Sequence, residues 1–289
     1  MNPKETIEKN LKRVDKLIDS NIQIYEGFPL FAWLELSPAD MCNRKCSFCP
    51  KSNDAIAPNT HNYMHKKLYT KIADELKKVN FQGTVMLAGY GEPMMHKNFA
   101  DMVKTFSSIC NTETTVNGDF LTIKSIQELD NAGIHKIIVS VYDGPYQIEK
   151  FNTMFEEAGI HKNKYILRDR WYTKEDDFGV KLTNRAGVIH FGNQQEVDIK
   201  RACYYPHYSM MIDWNGDTFL CTQDWNRRVK TGNVMFSTLI EIWNSAILKK
   251  YRVHLSSGKR DLSPCLNCNA LGTLHGIRHK EEWSKYYEK

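Results

Sequence analysis

The stretch Cys42-Asn-Arg-Lys-Cys46-Ser-Phe48-Cys49-Pro50 constrains this chain more than any other. It follows an apolar run, Phe31 to Leu36, that reads as a β-strand, so one tight loop presents three thiols in a C-x3-C-x2-C spacing. Thiolate is a soft ligand suited to iron, and three from one loop can hold three irons of a cubane cluster. The fourth iron then has no protein ligand and is open to a small molecule. Two blander readings stand beside this one. A zinc site would need a fourth ligand and usually pairs two C-x2-4-C units; alternatively the three thiols are unrelated and buried.

With 289 residues the chain is long for one domain and short for two, which suits one barrel-like domain and a small appendage. Its 39 basic and 34 acidic residues leave a net charge of +5, without a block of either sign. That permits an anionic substrate without demanding one. No arginine-rich stripe with interleaved aromatics argues for nucleic acid. The charged N-terminus lacks the apolar core of a signal peptide. No apolar run approaches the roughly 18 residues of a membrane span. Eight cysteines without a secretion signal point to metal ligation in a reducing compartment, hence the cytoplasm.

Along the chain, residues 1–30 read as a polar amphipathic helix expected to cap one end of the fold. Beyond the cysteine loop, helical spacing over 66–79, 97–108, 123–133 and 147–159 alternates with strand-like runs. Those runs are Thr84 onward, Thr112–Val116, Lys136–Tyr142 and Lys164–Trp171. Alternation of this kind predicts a parallel sheet built from βα units. Cys42, Glu92, Asn117, Ser140 and Tyr142 then gather at or near the carboxyl ends of the strands, where such folds bind ligands.

C-x3-C-x-Phe-C after a first strand resembles the radical S-adenosylmethionine (SAM) superfamily, and the likeness extends over nearly the whole chain. It implies an α/β fold, a partial (β/α)6-type barrel over residues 31–190. It also implies a 4Fe–4S cluster on Cys42, Cys46 and Cys49 whose open iron binds SAM. Gly89-Tyr-Gly91-Glu92-Pro93 resembles the family's GGEP motif, with Tyr90 in place of a small residue; its backbone and Glu92 would hold the SAM ammonium. By the same resemblance Phe48 would lie near the adenine. Ser140 and Arg168 are candidates for the SAM ribose and carboxylate, and Asn117 completes the cofactor-binding set. A strand serine that is simply packed is the alternative for Ser140.

Cys203, Cys221, Cys265 and Cys268 bracket a second module, residues 191–289. Tyr208–Ile212 and Thr218–Cys221 read as a hairpin around Asn215-Gly216, and Leu239–Val253 as one amphipathic helix. The set resembles the auxiliary-cluster (SPASM) modules of radical SAM enzymes in their four-cysteine "twitch" form, a small α+β unit holding a second 4Fe–4S cluster. A four-cysteine zinc ribbon is the rival. Cys110 is left over at the start of a strand, placed as a small buried residue.

The resemblance implies cleavage of SAM to a 5′-deoxyadenosyl radical that takes hydrogen from an unactivated carbon. An external one-electron reductant such as flavodoxin or ferredoxin is implied with it. A fully ligated auxiliary cluster could accept the next electron, turning a hydroxyl-bearing carbon into a ketone, and the cysteine pattern is similar to that of radical SAM aminocyclitol dehydrogenases. The expected substrate is a sugar, aminocyclitol or sugar conjugate, phosphorylated or not. Epimerisation would need a hydrogen donor, for which Cys110 is misplaced and Tyr90 or Tyr142 are the candidates. Modification of a ribosomal peptide is a further alternative. Asn184-Arg185-Ala-Gly187 resembles a run whose arginine contacts substrate, nominating Arg185, with Asn184 and His190 beside it; a surface ion pair is the other reading of Arg185.

Overall fold

The computed structural model describes residues 3–20, 22–170, 182–190, 194 and 196–287. One eight-stranded sheet organises it. The strands, in chain order, are β3 (Trp33–Leu36), β4 (Thr84–Leu87), β5 (Asn111–Val116), β6 (Lys136–Val141), β7 (Tyr165–Asp169), β8 (Ser209–Ile212), β9 (Asp217–Phe219) and β10 (Lys230–Asn233). Their spatial order is β10-β9-β8-β3-β4-β5-β6-β7. A two-stranded ribbon, β1 (Ile24–Tyr25) with β2 (Phe28–Pro29), precedes it.

Six adjacent strands, from β8 across to the edge strand β7, are parallel, and the sixth comes from beyond residue 190: β8 pairs with β3 in register, Glu35 opposite Met211. The expected parallel sheet is therefore present, and the expected hairpin of the second module is an extension of it. β9 and β10 then run antiparallel. The turn between β8 and β9 closes through the Gly216 amide on the Asp213 carbonyl, with Gly216 in the left-handed region at φ +88°.

Parity along each strand sorts its side chains. Leu34, Leu36, Val85, Leu87, Ile137, Val139, Met210 and Ile212 enter the main apolar core. That core is completed by α2 (Lys66–Lys78), α3 (Phe99–Ser107), α4 (Ile123–Asn131) and α5 (Tyr146–Glu157). The opposite parity, carrying Glu35, Met86, Glu113, Ser140, Arg168 and Met211, faces the lumen of a partial barrel. Helix α1 (Pro3–Asp19) closes the amino ends of the strands: Arg13 forks onto both oxygens of the buried Glu113.

Local chemistry shifts several expected boundaries. The first helix stops at Asp19, and residues 24–29 form the small ribbon, its turn made by Glu26 and Gly27 at positive φ. The single helix expected over 239–253 is two, α7 (Leu239–Trp243) and α8 (Ala246–Ser256). Ser245 caps the second by accepting from the Leu248 amide, while Asn244 closes the first. A short helix α6 (Tyr205–Tyr208) precedes β8, and α9 (Ile277–Tyr287), unexpected from the pattern, packs back on α1 through Asp19, His279 and the Gly276 amide. The strand end expected at Trp171 lies outside the described residues. Among those residues no helix is long and apolar enough to cross a membrane.

Candidate active site

The first three cysteines lie in the loop between β3 and α2, and several polar anchors fix that loop. Asn59 bonds both the amide and the carbonyl of Cys42, at 3.0 Å each. Lys51 is buried and gives its ammonium to the carbonyls of Asp40 and Pro58. Arg44, between the first two cysteines, forks onto Asp119 at 2.6 Å and onto Asp143 at 2.7 Å. Those aspartates follow β5 and β6, so one guanidinium ties the loop to two strand ends, the geometry at which arginine exceeds lysine. Burial, then repulsion from Cys49 and Cys42, pushes the Cys46 thiol up to about 11, and burial raises Cys42. Phe48 lies against Tyr142, ring centroids 5.6 Å apart, with Arg44 over the other ring at 5.5 Å.

The Gly89–Pro93 loop presses on this one. A Cβ on Gly89 would sit 2.6 Å from that of Ser37, and one on Gly91 would meet the carbonyls of Ala39 and Met41. Both positions need glycine for that reason, and Gly89 also holds φ +78°. The Glu92 amide donates to Met41 at 2.8 Å. Pro93 opens a single 3-10 turn that the Glu92 carboxylate caps through the Met94 amide. The other carboxylate oxygen accepts from the Asn117 amide at 2.9 Å. Burial nevertheless pushes the Glu92 carboxyl up to about 7. Asn117 also donates to Asn43 and lies 4.0 Å from the Cys42 sulfur. Glu92, Asn117 and the cysteine loop thus share one patch, and a buried carboxylate with no ion pair among the described residues fits an ammonium ligand.

Across the lumen, Arg168 donates to Ser140 at 3.0 Å, as their register requires. Arg185 and Ala186 occupy the left-handed region at φ 50° and 56°, followed by Gly187 at 86°. Such backbone persists only where its surroundings over-determine it. Asn184 supplies the hold: its side chain donates to the Asn267 carbonyl at 2.8 Å and accepts from the Asn269 amide at 3.2 Å. Asn184 is therefore a brace of the Arg185 turn, and His190 is exposed. The Nε atoms of Arg168 and Arg185 are buried with no acceptor among the described residues.

Two lumen residues escape sequence reasoning. Arg170 continues the inward row of Arg168, and burial with that neighbour's charge pulls it down to about 9. Glu35 projects from β3 and is held up to about 7 by burial, against the pull of Arg185 and Arg168. Its only signal in the sequence is a charge at the inward parity of an apolar strand.

Tyr90 needs correction as a hydrogen donor. It is 1% exposed, packed on Trp225 at 4.7 Å between centroids, and covered by the Arg227 guanidinium at 4.8 Å. Its hydroxyl donates a hydrogen bond to the Asp224 carbonyl, and burial lifts its pKa far above the usual tyrosine range. It serves as packing between the two cysteine sites. Cys110 sits at the amino end of β5 against Phe106, at the opposite end of the strands from the cysteine loop.

The second cysteine set is also gathered. Cys221 follows β9, Cys265 and Cys268 flank a 3-10 turn, and the Cys203 amide donates to Leu255. Cys221 feels the charge of the other three, and Cys265 that of Cys203 and Cys268, after burial as the first cause of each raised pKa. Arg260, fully buried, laces the approach to Cys203 to the exit from Cys268 by donating to the carbonyls of Arg201, Ala202 and Ala270. A Cβ on Gly272 would lie 2.6 Å from the Cys203 sulfur, so glycine leaves that sulfur room.

Among the described residues no three such side chains converge on a single-ion site. The fit is therefore tested against clusters, whose four irons hold thiolates farther apart than tetrahedral zinc does, roughly 3.8 Å between sulfurs at Zn–S of about 2.3 Å. Both thiol sets fit: they are close enough for their charges to repel, which cluster irons would relieve.

Comparison with known proteins finds a domain over each cysteine set. Residues 36–154 match the radical SAM superfamily, and residues 203–269 the SPASM iron–sulfur cluster-binding domain. The S-adenosyl-L-methionine-dependent 2-deoxy-scyllo-inosamine dehydrogenase of Niallia circulans is 29% identical over 245 residues, 83% of this chain and 93% of the relative. A GTP 3',8-cyclase of Vibrio vulnificus is 34% identical over 116 residues, only 38% of this chain and 34% of the cyclase. The crystal structure of BtrN with AdoMet and 2-DOIA superposes with a TM-score of 0.73 at 25% identity, covering 88% of this chain and 98% of that one. Native anSMEcpe with bound AdoMet shares the fold, with a TM-score of 0.53 at 13% identity over 89% of this chain and 96% of its own. The chain thus carries a radical SAM domain, which implies SAM and a 4Fe–4S cluster, and a SPASM domain, which implies an auxiliary iron–sulfur cluster.

Proposed function

We propose that this enzyme oxidises a hydroxyl-bearing carbon of a sugar, aminocyclitol or sugar conjugate to a ketone. SAM at the open iron of the Cys42/Cys46/Cys49 cluster would supply the 5′-deoxyadenosyl radical that removes the carbon-bound hydrogen. The observation carrying the oxidative outcome is that Cys203, Cys221, Cys265 and Cys268 are gathered at one place, with Arg260 and a 3-10 turn holding the segments that bear them. Four protein thiolates leave a cubane no open position, so the site suits receiving an electron rather than binding substrate. Glu92 would hold the SAM ammonium, with Phe48 and Tyr142 walling the adenine side, and Ser140 and Arg168 toward ribose and carboxylate. Arg185 would fork onto neighbouring substrate oxygens. Arg168 and Arg185, facing Glu35, with Arg170 beside them, also admit a phosphorylated substrate. Epimerisation would need a hydrogen donor; Cys110 and Tyr90 are misplaced for it, which leaves Tyr142 as its candidate. A ferredoxin or flavodoxin would supply the first electron, in a cytoplasm that keeps all eight cysteines unpaired.

The test is anaerobic reconstitution, iron and sulfide counting, then incubation with SAM, reductant and a panel containing 2-deoxy-scyllo-inosamine and common sugars. About eight irons, four to each cubane, and a ketone product are expected. SAM cleavage coupled to an epimer would overturn the oxidative reading. On the same protein, Glu92→Gln should weaken SAM binding at least tenfold, since a charged hydrogen bond is worth about 1.5–3 kcal/mol. Calorimetry showing unchanged affinity would remove Glu92 from the cofactor site.

A further inference from the structure

Among the lumen carboxylates, Glu113 is paired with Arg13, while Glu35 is used neither by the cofactor site nor by an ion pair among the described residues. Glu35 stands between Leu34 and Leu36, both committed to the core beneath the helices, so its side chain takes the inner face. Its cross-strand neighbours are Met86 and Met211, neither of which has a proton to give. Arg168 of β7 and Arg185 of the left-handed turn face it, the Gly89 backbone and the Trp33 indole lie beside it, and Tyr205 of α6 looks on from the module side. No cation among the described residues forms an ion pair with it, and the two arginine Nε atoms are buried without acceptors. Glu35 accepts from the Gly89 backbone and Trp33, and the arginine Nε atoms are left without acceptors among the described residues, so acceptor and donors do not satisfy each other. A ligand that completes them offers an O–H to the carboxylate and oxygens to the guanidinium groups, as adjacent carbons of a polyol do.

We propose that Glu35 is the base that takes the substrate's hydroxyl proton as the hydroxyl-bearing carbon becomes a ketone. This rests on the oxidative reading above. Loss of the carbon-bound hydrogen atom leaves a carbon radical bearing O–H. The O–H bond breaks, its proton goes to a Glu35 carboxylate oxygen, and the bonding pair stays on oxygen. One electron leaves for the oxidised auxiliary iron–sulfur cluster, and the pair left between carbon and oxygen closes the C=O bond. The substrate has then lost one hydrogen atom, one proton and one electron, a two-electron oxidation. A carboxyl held up to about 7 is poised for this, because a general base works best with a pKa near the operating pH.

The experiment compares cluster-loaded wild type, Glu35→Gln and Glu35→Asp with 2-deoxy-scyllo-inosamine as probe substrate. Ketone formed per 5′-deoxyadenosine released is the first readout. The ratio should fall about 100-fold in Glu35→Gln, within the usual worth of a general base, and recover in part in Glu35→Asp. In wild type it should rise with pH through about 7, following one ionisation. An unchanged ratio in Glu35→Gln would overturn the proposal. The second readout needs no turnover: infrared titration of the SAM-bound enzyme should show a carboxylic acid band lost near pH 7 in wild type and missing in Glu35→Gln. Identical titrations would overturn it too. If wild type cleaves SAM without making ketone, the oxidative reading fails, and the infrared result still decides whether Glu35 titrates in the lumen.

Discussion

Cys221→Ala should abolish ketone formation while SAM cleavage continues. Iron should fall from about eight to about four per chain, one cubane being lost. Cys221 follows β9, whose place is held independently by the antiparallel pairing to β8 and by the Thr218–Thr231 hydroxyl bond. The other three sulfurs are fixed by Arg260 and the 3-10 turn, so the barrel with its Cys42/Cys46/Cys49 loop should survive the loss. Ketone yield is expected to drop at least 100-fold, with 5′-deoxyadenosine still released. A melting curve close to that of the wild-type barrel separates this result from global unfolding. Halved iron with undiminished ketone would place the electron acceptor elsewhere.

Arg252→Ala should lower the melting temperature by roughly 6 °C, the response of a chain this size to about 3–4 kcal/mol. The guanidinium is fully buried between Trp243 and Trp283, 3.9 Å from each ring centroid. It also donates to the carbonyls of Pro206 at 2.6 Å and Trp243 at 2.8 Å, joining α6, α7, α8 and α9. A desolvated cation–π contact contributes about 2 kcal/mol, and each stranded carbonyl costs about 1–3 kcal/mol. Offsetting this, truncation removes a charge whose burial already pulls its pKa down to about 10. Arg252→Lys decides which effect wins. Lysine keeps the charge but cannot lie flat between two rings, so it should lose nearly as much stability. Full retention by lysine would show that charge rather than stacking holds the four helices.

The chemistry of this protein is legible in its sequence because it is carried by short stretches whose spacing is itself the signal. Cys42, Cys46 and Cys49 share one loop, Gly91-Glu92-Pro93 another, and strands alternate with helices at a period that only a parallel sheet explains. Local rules also place Cys110 at the far end of its strand. Three things were settled only by tertiary packing. The parallel sheet borrows its sixth strand from the second module, because β8 finds the open edge of β3, and no local pattern records which edge is free. Tyr90 sits in a position that reads as catalytic, yet Trp225 and Arg227, more than a hundred residues later, bury it. Glu35 reads as one charge in an apolar strand. It acquires chemical meaning only where β7 and the Arg185 turn bring arginines to face it across the lumen. Sequence determines what lies within a loop or along a strand, because covalent spacing enforces it. Which loops face one another follows from the closure of the sheet, and that depends on every strand at once.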